Sequence, residues 1–124
     1  MGNYSEKPLV NYLWRHIPDL ESIIIIDKDG EIIHQKMSQK FKEKFDFDRL
    51  KHITRKISFR FSINGFDKEL GGLAMTINLF KNDMFMLVRS LNQMHLLVLL
   101  MPIHYDISKT INVMKGITEW PIDL

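Results

Sequence analysis

Ser22-Ile23-Ile24-Ile25-Ile26-Asp27-Lys28-Asp29-Gly30 decides how the rest of the chain is read. The isoleucines are stiff at χ1 and suit a pleated strand better than a helix. The run is too short for a helix and is apolar on both faces, so it predicts a central strand covered on both sides. Asp27-Lys28-Asp29-Gly30 then reads as a tight hairpin turn, with Asp and Gly supplying its positive φ. Glu31-Ile32-Ile33-His34-Gln35-Lys36 returns as a second strand, polar toward its end as an outer strand is.

Upstream, Pro8 to His16 reads as a short helix with Leu9, Leu13, Trp14 and Ile17 on one side. Pro8 suits its first turn, and Pro18 ends it. Downstream, Ser38 to Phe45 is a charged bridge, and Asp46 or Asp48 is the expected N-cap of a middle helix. Leu50, Ile53, Ile57 and Phe61 form the apolar stripe of that helix, which is expected to stop near Asn64-Gly65. Its opposite face carries Arg49, Lys51, Arg55, Lys56 and Arg60.

Three strands follow. Gly72 opens Leu73 to Phe80, Lys81-Asn82-Asp83 turns the chain, and Met84 to Leu91 returns. After a turn at Asn92-Gln93, Met94 to Met101 is almost wholly apolar and is stopped by Pro102. Asp106 or Ser108 caps a closing helix whose stripe is Ile107, Ile111, Met114, Ile117 and Trp120. The order is α-β-β-α-β-β-β-α, an α/β chain folded as an α+β sandwich. Its sheet is mostly antiparallel, with helices on both faces. The two most apolar strands, Ile23–Ile26 and Leu96–Leu100, are expected side by side in the middle.

The 124 residues fit a single domain spanning 1–124. Hydrophobic residues make up 45% and charged residues 26%, ordinary values for a globular chain with a sizeable core. Cysteine is absent, which removes disulfides, thiolate metal sites and thiol nucleophiles. The formal net charge of +2, from 17 basic and 15 acidic residues, leaves no electrostatic footprint for nucleic acid. No apolar run is long enough to cross a membrane. The first apolar stretch is broken by Asn11, Arg15 and His16, so no signal peptide and a cytoplasmic location are expected. Without a secretory signal the sequon Asn3-Tyr4-Ser5 carries no weight, and Glu6 departs from a myristoylation start.

No catalytic constellation assembles. His16, His34, His52, His95 and His104 contain no metal-spaced pair, so no metal, cofactor or catalytic residue is expected, and the chain is read as no enzyme. Gly71-Gly72 lacks the Lys-Ser/Thr of a phosphate loop and leads into a strand. Asp27, Asp29 and Glu31 are too few and too close for a calcium loop. Met75, Met84, Met86, Met94 and Met101 lie in strands and are read as core filling.

Two surfaces remain. The strand Leu73–Phe80 should end the sheet, with Leu73, Met75, Ile77 and Leu79 on one face and Ala74, Thr76, Asn78 and Phe80 on the other. No proline or inward lysine protects its middle, and an unprotected edge invites pairing with another copy about a two-fold axis. The basic face of the middle helix suits an acidic partner or an anionic membrane surface.

The order of elements from about Leu9 to Trp120 resembles the roadblock (dynein light chain) family, within the profilin-like and longin-like folds. Two stretches carry the likeness: Ile23-Ile24-Ile25-Ile26-Asp27-Lys28-Asp29-Gly30, and the polar turn with its apolar last strand, Leu91-Asn92-Gln93-Met94-His95-Leu96-Leu97-Val98-Leu99-Leu100. The resemblance implies a sheet order of second, first, fifth, fourth and third strand. It implies a dimer in which the third strands pair and the middle helices lie together. It also implies a scaffold for a small Ras-like GTPase that holds the GTPase in a chosen conformation.

This chain departs from the family in its long charged bridge Ser38–Phe45 and in Phe59, Arg60 and Phe61, where small residues are frequent. Ile53, Ile57, Arg60, Phe61, Leu73, Met75, Thr76, Ile77 and Asn78 are expected at the dimer interface, and Lys51, Arg55 and Lys56 at a partner. The partner is a second copy, in a homodimer, or a sister roadblock chain, together with the GTPase; no nucleic acid is expected. A profilin- or PAS-like small-molecule sensor and a longin-type trafficking subunit are the alternatives.

Overall fold

In the computed structural model, which describes residues 3–44, 46–63, 75–81, 83–92, 95–102 and 107–117, the isoleucine run is β1, Ser22–Asp27. It pairs antiparallel with β2, Ile32–Met37, on one side and with β5, His95–Pro102, on the other. Ile24 sits opposite Gln35 of β2 and Val98 of β5. β5 pairs in turn with β4, Met84–Asn92, which pairs with β3, Met75–Leu79. The five-stranded sheet therefore runs β2-β1-β5-β4-β3, as the resemblance implies, and all these pairs are antiparallel. The two apolar strands lie side by side.

Strand alternation divides the core into two layers. Ile23 and Ile25 of β1, Phe85 and Leu87 of β4, and Leu97, Leu99 and Met101 of β5 share one face. That face is covered by α1, Asn3–His16, through Leu9, Val10 and Leu13, and by α4, Ile107–Gly116, through Met114. Ile24, Ile26, Met86, Val88, Leu96 and Val98 point the other way, under Leu50 and Ile57 of α3, Phe47–Ile63. Each of these side chains contributes about 1.5–3 kcal/mol on burial, so both faces of β1 and β5 need a cover.

Several boundaries differ from the sequence reading. α1 begins at Asn3, so Pro8 sits inside the helix rather than in its first turn and forgoes one intrahelical bond. The charged bridge contains a further short helix, α2, Gln39–Lys44, with Phe41 buried beneath it. Ser38 caps it: its Oγ accepts the Phe41 N–H at 3.1 Å and donates to Glu21 Oε2 at 2.6 Å. Asp46, not Asp48, caps α3, with Oδ1 accepting the Arg49 N–H at 2.7 Å. Ser108 lies within α4 and so is not its cap, and Thr110 is more deeply buried than Ile111. Asp106, Trp120, Asn64-Gly65, Gly71-Gly72, Leu73, Ala74 and His104 lie outside the described residues.

The β1–β2 turn locks α3 in place. Asp27 Oδ1 accepts the N–H groups of Asp29 and Glu31, both at 2.9 Å, so the Asp side chain stabilises the turn without taking positive φ itself. Gly30 alone in this turn takes positive φ, at 85°. A Cβ there would lie 2.4 Å from Arg55 Cα and 2.9 Å from Thr54 O, so the turn touches the α3 backbone directly. Ser58 Oγ donates to the Lys28 carbonyl in the same place.

Candidate functional site: an open strand edge and a basic helix

β3 ends the sheet, paired on one side with β4 through Thr76 opposite Val88 and Ile77 opposite Leu87. Its register places Met75, Ile77 and Leu79 on the α1/α4 face and Thr76 and Asn78 on the α3 face. Met75 packs against the α1/α4 core, but cover runs out along the strand. Ile77 is 38% exposed, Leu79 63% and, just beyond the strand, Phe80 46%. Thr76 is half-buried and Asn78 exposed. The turn after β3 returns through Asp83 in the left-handed region, φ 63°, and Phe80 N donates to Met84 O at 2.9 Å. An edge strand with this much apolar surface and no charge between Met75 and Leu79 is a template for another strand.

α3 presents three sectors. Leu50 and Ile57 face the sheet, with Ile53 and Phe61 half-buried beside them. Ile57, expected at the dimer surface, is only 8% exposed: the helix turns it into the core, so it fixes the position of α3 and offers no surface. Thr54, Arg55 and Ser58 form a second sector against the β1–β2 turn, where Arg55 pairs with Glu31 at 2.9 Å. Both of those side chains are largely exposed, so this pair adds little stability and serves to orient Arg55. The remaining sector carries Arg49, Lys56 and Arg60, all exposed, with Phe59 beside them at 65% exposure. Lys51 lies near the second sector, its Nζ 5.3 Å from the Phe47 ring centroid.

The structure thus places Met75, Thr76, Ile77 and Asn78 together on the edge, and Ile53, Lys56 and Arg60 together on one side of α3. It separates Lys51 and Arg55 from that side. Leu79, Phe80 and Phe59 belong to the exposed apolar surface too, although the sequence reading places none of them at an interface. Hydrophobic residues in a strand or helix register as core by pattern, and only the loss of cover beyond Ile77 shows otherwise.

Arg89 is a further residue that sequence reasoning missed. It is buried on the α1/α4 face of β4, where its Nε donates to the Met114 carbonyl at 2.8 Å and Nη1 to the Ser90 carbonyl at 3.0 Å. A cation at the C-terminal end of α4 satisfies a helix carbonyl and meets the negative end of the helix dipole. Burial lowers its pKa from the ordinary guanidinium value, through desolvation. Among the described residues no group of three His, Asp or Glu side chains could hold a metal ion, and no helix is long and apolar enough to cross a membrane.

No protein-family model matches the sequence, and no curated protein matches it. Solved structures do. The gliding protein MglB from Thermus thermophilus superposes with a TM-score of 0.73 at 17% identity, over 95% of this chain and 85% of that one. MglB in a tetrameric arrangement gives 0.72 at 16%, over 95% and 85%. A Roadblock/LC7 domain from Streptomyces avermitilis gives 0.64 at 14%, over 86% and 89%. With this strand order, these two helical layers and an open third strand, the chain has the roadblock/LC7 fold.

Proposed function

We propose that this chain is a non-enzymatic scaffold that joins a second chain of the same fold through β3 and presents the pair to a small Ras-like GTPase. The observation that carries the first half is the edge itself, with Ile77 and Leu79 exposed on an unprotected terminal strand. A strand added there would satisfy the free backbone groups of β3 and cover these side chains. Met75, Thr76, Ile77 and Asn78, with Leu73 ahead of them, form the strand part of the interface. Ile53, Arg60 and Phe61 form the helical part, held in place by Ile57. Association of this kind is consistent with the tetrameric arrangement of MglB, a protein of the same fold.

The GTPase half rests on the family resemblance and on the basic helix, where Lys51 and Arg55 on the hairpin side are the contact residues and Lys56 is turned to the other flank. Such a scaffold acts by binding one conformation of the GTPase better than another. A cytoplasmic location follows from that partner.

Light scattering coupled to size exclusion tests the edge. At about 0.5 M salt, where surface charges are screened, the chain should have the mass of two copies. Ile77→Pro, which deletes an N–H on the open side of β3, should be folded and have the mass of one. A folded Ile77→Pro variant of unchanged mass would overturn the strand-pairing reading. For the second half, purified Ras-like GTPases from the same source, loaded with GDP or a GTP analogue, are titrated against the chain. Binding that depends on the nucleotide and weakens on reversing the charge of Lys51 and Arg55 is expected. Identical binding by that variant would reject those contacts, and no binding to any loaded GTPase would reject the GTPase reading.

A further inference from the structure

β3 carries no charge from Met75 to Leu79, so the strand does not discriminate among partners; that choice falls on the helix beside it. Thr54, Arg55 and Ser58 hold one flank of α3 against the hairpin next to β2. β2 and β3 are opposite ends of the sheet, so the other flank of α3 is turned toward β3. At about 100° per residue that flank consists of Arg49, Ile53, Lys56 and Arg60. Their spacing of four, three and four residues is that of a helix–helix seam. Ile53 is half-buried and the three cations are exposed. No carboxylate of α3 shares the flank. Asp48 lies a residue before Arg49, on the solvent side, and Asp46 precedes the helix and is occupied with the Arg49 N–H.

A second copy paired at β3 about a two-fold axis would set this flank against itself, three cations from each chain and, among the described residues of α3, no carboxylate on the flank to neutralise them. Like charges facing one another across a partly desolvated seam select against that pairing. We infer that the preferred occupant of the β3 edge is a second chain of the same fold whose facing helix is acidic, and that self-pairing is the weaker, salt-dependent alternative. This rests on the strand-pairing reading above and adds the identity of the partner by charge.

The test mixes the wild-type chain with an Arg49→Glu/Lys56→Glu/Arg60→Glu variant, one of them fluorescently labelled, and follows association by sedimentation velocity. At about 0.05 M salt the mixed pair should associate about tenfold or more tightly than the wild-type chain with itself, and the preference should shrink at about 0.5 M. Ile77→Pro in either chain should abolish the mixed pair. A wild-type self-pair as tight as the mixed pair at low salt would overturn the inference while leaving strand pairing intact. If no combination associates even at high salt, strand pairing itself fails and the inference falls with it. Circular dichroism checks that the triple variant is folded; if it is not, Lys56→Glu at the seam's centre replaces it, with the same direction of preference and a smaller size.

Discussion

Gly30→Ala probes the contact that positions α3, and hence the basic flank. Two costs add. The residue sits at φ 85°, where an L side chain is strained by about 1–2 kcal/mol. The new Cβ would lie 2.4 Å from Arg55 Cα and 2.9 Å from Arg55 N. Carbon atoms pack at about 3.5–4.0 Å, so the turn and the helix must separate by about 1 Å, and overpacking of this kind costs about 1–3 kcal/mol. The total, about 2–5 kcal/mol, is a large part of the roughly 5–15 kcal/mol that holds a domain folded. Urea unfolding followed by far-ultraviolet circular dichroism measures it. With a slope of about 1–3 kcal/mol per molar, the midpoint should fall by about 1–2 M. Because the clashing atoms are backbone, adding Arg55→Ala should recover none of the loss. Gly116→Ala is the control: beyond its chain neighbours and its own helix backbone, no atom of the described residues lies within 4 Å of a Cβ placed there, so it should be neutral or stabilising by up to about 1 kcal/mol. A Gly30→Ala protein within about 0.5 kcal/mol of wild type would refute the claim that turn and helix are in backbone contact.

Three further outcomes follow from buried or capping groups. Ser22 Oγ is buried with no hydrogen-bond partner among the described residues, so Ser22→Ala should leave stability unchanged or raise it by about 1 kcal/mol, read as a higher urea midpoint. Arg89→Leu should destabilise by about 2–4 kcal/mol, because it strips the Met114 carbonyl at the end of α4 of its buried donor; hydrogen exchange should show the loss concentrated in α4. Equal exchange there would reject the capping role. Asp46→Ala should cost about 1 kcal/mol by removing the α3 cap, and Asp46→Asn should recover most of it in the same denaturation assay.

The two flanks of α3 explain why its cations are not equivalent. Arg55 is oriented by Glu31 on the hairpin side, whereas Lys56, one residue on, turns to the seam side with Arg49 and Arg60. A partner docking on the hairpin side and a partner joining at β3 therefore meet different charges of the same helix, which lets one short helix serve both the GTPase and the second chain of the proposed scaffold.

The sequence by itself determined most of the fold. Ile23–Ile26 could only be a strand covered on both faces, Gly30 could only be in a turn, and the alternation along Met84–Leu91 and Leu96–Met101 set which side chains meet which layer. These are local consequences of chirality, side-chain branching and the two-residue period of a strand, and they act before any long-range contact forms. Ser38 was legible only as part of a charged bridge: its capping bond to the Phe41 N–H is local, whereas the Glu21 carboxylate that accepts its hydroxyl is distant in sequence.

What the tertiary structure alone decided is which residues of a given pattern reach the surface. A helical period groups Ile53 with Ile57, but only the placement of α3 over the sheet buries one and leaves the other at the flank. It groups Lys51, Arg55, Lys56 and Arg60 as one basic face, and only the hairpin's grip on Thr54 and Ser58 splits that face in two. Arg89 looks like a surface cation until α4 ends beside it. Periodicity fixes relations within an element, whereas burial and charge pairing depend on where the elements meet.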